Sequence, residues 1–600
     1  MAFLKHLMNQ KTYFFSLLTL LFAFFICVWL FFIPYENLLL YINHFRPDKP
    51  YQFFTSQYHF YFRVFLALIS FSIVLLFSLL QIKTKQYLKF VKTLKKEVLL
   101  LIDKTKAKTI QFLRTEDRPY LYLLFFVFSI GIITRLFYLD RPIFHDEAKT
   151  IYSFVSKSWV DTISNYYVPN NHVFHSVLSR ICYLVFGNEE WIFRLPVFFS
   201  GCCTLVLCYL YARSFFNKHV AIILLALITN GIPLVSYSVN ARGYILITGC
   251  FLLLLLMIKE LSKNRGNIIL YFLFVFISSI GLWTAPVMVM PLFFVFYWFL
   301  LDGGRKNLFY RMKTSFVTLL FIGFTAFLLY SPIIVRCGIK ALTSNPYVKE
   351  QTFKTILERL PSYFILYWDL LTSGYSPSMK YVLMCLFVLG VLYHASNKYS
   401  RNLFFSLVLS AFSIFFILKR LPFDRTILFV YPIFWTFNAT GAYYIIKFVS
   451  NKTGLGIKTL CLSFSVITFF YTSILCLKNN GIIKSYQNQT CVEAELIVED
   501  IQRHLKKGNR IETSTPLAGP IRYYLLKKDL DEEILHWHHK GKDKGPLLKS
   551  NKVYIITRSG RNSLSSYGYN DSFSIIGFSK PKLWRKYQNT VEVYVIEKLL

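Results

Sequence analysis

The chain runs to 600 residues, 55% of them hydrophobic and 19% aromatic, with a mean hydropathy of +0.45. Only 16% are charged, which excludes a soluble globule and indicates a polytopic membrane protein. The 67 Lys and Arg outnumber the 31 Asp and Glu by 36, but the excess is dispersed over loops between apolar runs, where it marks membrane topology rather than a nucleic-acid surface.

Runs of about 17–22 apolar residues can cross a bilayer. The first lies at 13–33; no small-residue cleavage site follows it, so it reads as an uncleaved span rather than a signal peptide. A second lies near 60–81, and the densely basic stretch 82–118 follows it. Further runs lie near 120–139, 191–212, 219–237, 244–259, 268–283, 286–301, 315–333, 379–395, 403–418, 426–447 and 459–477, about thirteen spans in all.

The basic connections 82–118, 213–219, 259–267, 303–313, 396–402 and 451–458 all fall on the cytoplasmic side if the N-terminus is inside. That fit requires HVFHSVLSRICYLVFG (172–187), with its His172, His175 and Arg180, to be an amphipathic helix at the outer interface rather than a span. Residues 140–190, 334–378, 419–425 and everything from 478 onward then face outward.

Three regions follow. Residues 1–118 carry two spans and a basic cytoplasmic loop, 119–477 form the membrane core with its outer loop 140–190, and 478–600 form a small extracytoplasmic α/β domain. In that last region 491–508 and 517–528 have helical character, while 510–515, 551–558, 573–578 and 590–598 read as strands.

The sharpest chemical feature is His145-Asp146-Glu147 in RPIFHDEAKT (141–150), at the outer mouth of a span. A carboxylate just outside the bilayer can serve as general base for an alcohol or amine, and partial desolvation is expected to raise its pKa toward a useful value. The competing reading is a pair of carboxylates that solvate a helix end. In YVPNNHVFHSVL (167–178), Asn170, Asn171 and His172 can hydrogen-bond a sugar or orient a carboxylate; alternatively Asn171 caps the helix that follows.

Arg194, Arg242 and Arg425 each sit at the outer end of a span, and Tyr237 and Tyr244 bracket Arg242 in YSVNARGY. A lone arginine there would snorkel to the interface. Three at the level of Asp146 suit bidentate binding of phosphate, and a phosphate site beside a base points to transfer from a lipid phosphate.

The eleven cysteines lie mostly within apolar runs without metal-ligand spacing, and neither a Walker loop nor a dinucleotide fingerprint is present. This pattern indicates neither a zinc site nor a nucleotide site; no cofactor is indicated, and a divalent metal is optional if the leaving group is a lipid phosphate. The N-x-[ST] matches at Asn488 and Asn570 are short patterns of the kind that arise by chance.

The outward Asp-Glu loop, LVFGNEE (184–190), FRLPVFFSGCCTLVLCYLYARSFF (193–216) and PLVSYSVNARGY (233–244) together resemble the GT-C glycosyltransferases. The likeness is to the branch with protein O-mannosyltransferases, the aminoarabinose transferase acting on lipid A, and the bacterial Rgt-like sugar transferases. FDRTILFVYPIF (423–434) is similar to a late-span segment of that branch, and the resemblance covers roughly residues 120–450. Two features differ: NNH (170–172) stands where the branch commonly has Pro-Pro or Lys-Pro-Pro, and two extra spans precede the core.

The resemblance implies a helical GT-C membrane fold and inverting transfer of a monosaccharide from a polyprenyl-phosphate or dolichyl-phosphate donor. The acceptor would be a glycan, lipid or protein on the extracytoplasmic face. Asp146 would act as base with Glu147 beside it, and Arg242 and Arg425 would hold the donor phosphate. His145, Asn170, Asn171, His172, Arg194, Tyr237 and Tyr244 complete the expected substrate-binding set.

The rival from another class is a transporter or flippase of a lipid-linked sugar. Transporters place charged sites near the midplane between repeats, whereas the ionisable residues here gather at the outer boundary. A GT-C-like protein that only binds a partner is the third reading. The Phe-, Lys- and Asn-rich usage points to a bacterial inner membrane, with the endoplasmic reticulum as the alternative.

Overall fold

The computed structural model describes residues 84–478 (except 168, 264–266, 344–347, 349 and 394–396), 491–537, 550–558, 578–587 and 591–599. It also describes 18, 20–44, scattered positions from 56 to 74, and 482. Helices Leu20–Phe32 and Phe62–Phe71 lie within the first two expected spans. The basic stretch expected as a loop is a 32-residue helix, Thr84–Thr115 (α1).

From residue 120 onward each expected apolar run overlaps helix, although the run at 219–237 is divided between two. Among the described residues, six helices are long and apolar enough to cross a membrane, or seven if one bent pair counts as a span. They begin with Arg118–Phe137 (α2), in which Pro119 sits in the first turn, where a missing N–H costs nothing. The outer loop then folds as a short helix, His145–Thr150 (α3), followed by the amphipathic helix Val173–Phe186 (α4). Helix α4 buries its polar residues His175, Ser176, Ser179 and Arg180 and turns Leu184, Val185 and Phe186 outward. That inverted pattern suits a helix whose outer face meets lipid.

Glu190–Phe215 (α5) comes next, followed by Lys218–Ile228 (α6) and Ile232–Ser238 (α7), which meet at 69° where one continuous span was expected. Pro233 lies in the first turn of α7 and cannot donate back into α6. The buried Arg135 of α2 secures the break, donating to Thr229 O (3.0 Å), Gly131 O (2.9 Å) and Ser238 Oγ (3.1 Å). A broken span inside a membrane needs such donors for its freed carbonyls.

Tyr244–Lys263 (α8), Ile268–Thr284 (α9), Val289–Asp302 (α10) and Gly304–Cys337 (α11) continue the bundle. The segment 334–378, expected to face outward, contains a helix absent from the sequence reading, Phe353–Leu371 (α12), which exposes Phe353, Leu357, Phe364 and Ile365 while burying Ile356 and Tyr367. Pro377–Tyr393 (α13), Lys398–Phe412 (α14), Tyr431–Thr453 (α15) and Ile457–Lys478 (α16) complete the core. Side chains of α5, α6, α8, α10 and α15, among them Leu205, Ile223, Phe251, Trp298 and Trp435, form one continuous buried cluster.

The C-terminal region is an α/β unit with helices Ala494–His504 (α17) and Ala518–Lys527 (α18). Its strands are Asn509–Thr513 (β1), Leu535–Trp537 (β2), Lys552–Arg558 (β3), Lys582–Tyr587 (β4) and Val591–Glu597 (β5), in the order β2-β1-β3-β5-β4. β1 pairs parallel with β2 and β3, and β5 pairs antiparallel with β3 and β4. The expected strands at 510–515, 551–558 and 590–598 correspond to β1, β3 and β5. The one expected at 573–578 lies outside the described residues except for Phe578, which bridges to Lys598; Asn488 and Asn570 also lie outside them.

This unit packs directly on the outer loop. Ile143, Ala148, Ile151 and Tyr152 share a buried cluster with Ile497, Ile521 and Tyr524. Tyr523 Oη donates to Asn188 O (2.9 Å), and Lys527 Nζ reaches Glu189 (2.8 Å) and Glu190 (3.0 Å).

Candidate active site

Phe144 is extended (φ −90°, ψ 158°), and helix α3 begins immediately after it. The Glu147 carboxylate turns back to accept from Phe144 N (3.1 Å), which caps the helix and fixes its rotation. Asp146 and Lys149 then face a cavity of about 900 Å³, while Glu147 faces the protein. Past Thr150 the helix widens to i→i+5 bonding, with Ser156 N donating to Ile151 O (2.9 Å). A second wide turn, Leu418 N to Ser413 O (2.9 Å), leads into the opposite wall at Leu418 and Arg420.

Asp146 retains 27% of its side-chain exposure and lies 2.7 Å from Arg242 Nη1 and 4.0 Å from Arg425 Nη2. Arg242 is held in turn by Asn170 Oδ1, by Tyr244 Oη (3.3 Å) and by His172 Nε2 (3.0 Å). Asn170 Nδ2 also donates to Asp146 O (3.1 Å), tying the loop before α4 to the helix that carries the carboxylate. His172 Nδ1 lies 3.1 Å from the N–H of Gly243. A neutral imidazole has a single lone-pair nitrogen, so His172 accepts from Gly243 or from Arg242, not from both.

Burial favours a proton on Asp146, but Arg242 and then Arg425 outweigh it and hold the carboxyl below its ordinary value. This corrects the expectation that desolvation would raise it. Burial lowers the pKa of His145, leaving a neutral imidazole near pH 7, and its Nδ1 lies 3.1 Å from Pro516 O of the C-terminal unit. Burial also lowers Lys149.

Of the expected residues, His145, Asp146, Asn170, His172, Arg242, Tyr244 and Arg425 line this one cavity. Glu147, expected beside Asp146 as a catalytic group, does not. It is fully buried and paired with Arg141 (3.1 Å) and Arg194 (3.0 Å), and it accepts from Ala241 N (2.7 Å). Arg194 does not line the cavity either: besides Glu147 it donates to Leu139 O (2.8 Å) and Arg141 O (2.6 Å), clamping the loop to α5.

Asn171 donates to Thr162 O (3.0 Å) and Asn165 O (2.9 Å) and accepts from Ser176 Oγ (2.7 Å), so it pins the start of α4. Tyr237 is buried edge-on to Tyr244 behind the cavity. The sequence reading missed Lys149, Arg420, Thr515 and Pro516 among the lining residues. Lys149 was findable, three residues after Asp146 on the same helix face, whereas nothing local points to Thr515 or Pro516. Among the described residues no three His, Cys, Asp or Glu side chains converge as a metal-ligand set.

A helical membrane core, a cavity walled by the loop after α2, and a C-terminal α/β unit seated on that loop define a membrane protein of the GT-C fold. Residues 172–335 match the family model described as dolichyl-phosphate-mannose-protein mannosyltransferase. Among solved structures, the chain is similar to ArnT from Cupriavidus metallidurans in the apo state, with TM-score 0.51 and 11% identity over 78% of this chain and 97% of that one. ArnT bound to undecaprenyl phosphate gives TM-score 0.49 and 12% identity over the same shares, 78% and 97%. The Archaeoglobus fulgidus oligosaccharyltransferase tethered to an acceptor peptide gives 0.43 and 13%, over 73% of this chain and 69% of that one. No curated protein matches the chain by sequence.

Proposed function

We propose that this protein is an inverting glycosyltransferase that moves a monosaccharide from a polyprenyl-phosphate donor to a glycan, lipid or protein acceptor on the extracytoplasmic face of a bacterial plasma membrane. One observation carries the reading: Asp146, Arg242 and Arg425 converge in a single cavity walled by the outer loop and the C-terminal unit. The family model matched over 172–335, which includes His172 and Arg242, is named for a lipid-phosphate-linked sugar.

In this mechanism the donor phosphate sits against Arg425 and Arg242, and the acceptor hydroxyl lies toward Asp146. The hydroxyl oxygen attacks the anomeric carbon in line as its proton passes to Asp146. The bond from that carbon to the phosphate oxygen breaks, and the lipid phosphate leaves with the electron pair. The arginines stabilise the charge that grows on the leaving group, and in-line attack inverts the anomeric centre.

Arg242 and Arg425 keep the proton affinity of Asp146 low. A bound phosphate draws Arg242 and Arg425 toward itself, burial then prevails, and the carboxylate becomes a stronger base. Glu147 acts through position, holding α3 at the angle that aims Asp146.

The test is transfer of radiolabel from polyprenyl-phosphate sugars in membranes containing the wild type or Asp146→Asn. Label reaching lipopolysaccharide, glycan or protein with the wild type, reduced at least about a hundredfold in the variant, is the expected outcome. Equal transfer by both removes Asp146 as base. Labelled lipid that crosses the bilayer without transfer identifies a transporter instead.

A further inference from the structure

Helix α1 stands apart from the cavity and from the chemistry assigned to it. Its last turns dock at the far end of α5: Phe112 packs on Tyr209 (ring centroids 6.2 Å apart) and under the guanidinium of Arg213 (4.9 Å). Arg213 also pairs with Glu116, and the adjoining Asp117 pairs with Lys218 (2.7 Å) and Lys458 (3.4 Å). Arg194, which clamps the cavity loop, is nineteen residues earlier on the same helix, about 28 Å away at 1.5 Å per residue. That is close to the thickness of a bilayer's hydrocarbon core, so α1 lies at the opposite membrane surface.

Helix α1 carries nine Lys and Arg against two Asp and Glu in 32 residues. Lys95, Leu99, Lys106, Ile110 and Leu113 follow one another at spacings of four, seven, four and three, which places them on one helix face. All five are exposed, with Leu99 at 53%, Ile110 at 50% and Leu113 at 47%. Water would leave these aliphatic side chains uncovered, and a nucleic acid would match the lysines but not the leucines. A stripe that mixes the two suits the boundary between headgroups and acyl chains, where Leu and Ile sink inward and Lys snorkels outward.

We propose that α1 lies in the plane of this second membrane surface and binds anionic phospholipid headgroups through Lys95, Lys106 and the exposed Lys96, which follows Lys95 at the margin of the stripe. A neutral bilayer would cover the aliphatic side chains but leave the charge unmatched, so anionic lipid is the ligand. This binding does not depend on the transfer reaction.

The test uses the full-length protein reconstituted in equimolar phosphatidylcholine and phosphatidylglycerol, with spin-labelled forms of both lipids followed by electron spin resonance. Wild type should hold labelled phosphatidylglycerol in preference to phosphatidylcholine. In the Lys95→Gln, Lys96→Gln, Lys106→Gln variant that preference should fall at least about threefold, more so at low salt. The corresponding Arg variant should keep it. These lysines are exposed, so the variants should retain the wild-type melting temperature, which the same preparations report. No preference in the wild type, an unchanged preference in the Gln variant, or a labelled oligonucleotide held by the same lysines in place of lipid would each overturn the proposal.

Discussion

Asp146 and Glu147 are neighbours in sequence with opposite surroundings, and their chemistry divides accordingly. Asp146 opens on the cavity, and its carboxyl is held low mainly by Arg242. A depressed pKa keeps the base ionised above it and loses that form as pH falls through it. The acid limb of kcat/KM should therefore lie below the ordinary aspartate value of about 3.9. Arg242→Gln removes the strongest opposing charge and lets burial prevail, so the limb should move upward; a limb that stays in place would show that Asp146 does not set it. Glu147 answers to stability instead. Glu147→Ala leaves Arg141 and Arg194 buried without their carboxylate, a loss of about 3–5 kcal/mol, visible as a lower melting temperature of the purified protein. The residual activity of a Glu147→Gln variant should keep the wild-type pH profile. The sequence put both carboxylates outside the bilayer but could not divide their roles, because the division depends on a helix rotation fixed by Arg194 and by the N–H of Ala241, 94 positions away from Glu147.

Elements were legible to the extent that their hydropathy was. Apolar runs located the helices of the core because each must cover its backbone and face lipid or protein. The kink between α6 and α7 stayed hidden because the apolar run continues through it, and hydropathy carries no direction. Helix α1 was masked by its own charge, which reads as a loop until the period of its aliphatic residues is followed. Strand β4, KLWRKY, lies at the sheet edge with most of its residues outside the core, so it lacks the alternation that marked β3 and β5. The contact between α18 and α3 had no local signal at all. A Cβ on Gly519 would lie 2.6 Å from His145 Nδ1 and 3.0 Å from the backbone of that residue. Gly519→Ala should thus displace α3 and lower kcat for transfer severalfold while polyprenyl-phosphate binding, measured by thermal shift, changes little. Equal rates in variant and wild type would show that the C-terminal unit does not position Asp146.

At the scale of the molecule, the orientation inferred from the basic loops makes a direct demand. Alkaline phosphatase fused after residue 599 should be active in a bacterial host, and the same enzyme fused after Thr115 should be inactive; the reverse pattern would invert the topology and place the cavity inside the cell. The site also draws on distant parts of the chain. Its carboxylate comes from residue 146, its second arginine from 425, and part of its outer wall from Thr515 and Pro516. Residue 516 leaves the ribosome 370 positions after Asp146, on the order of tens of seconds later at about 5–20 residues per second. For that interval Asp146 has been made while part of the wall it faces does not yet exist. Synthesis from one end to the other therefore acts as a timer, and a ribosome that stalls before the last domain releases a chain with an open, unfinished site.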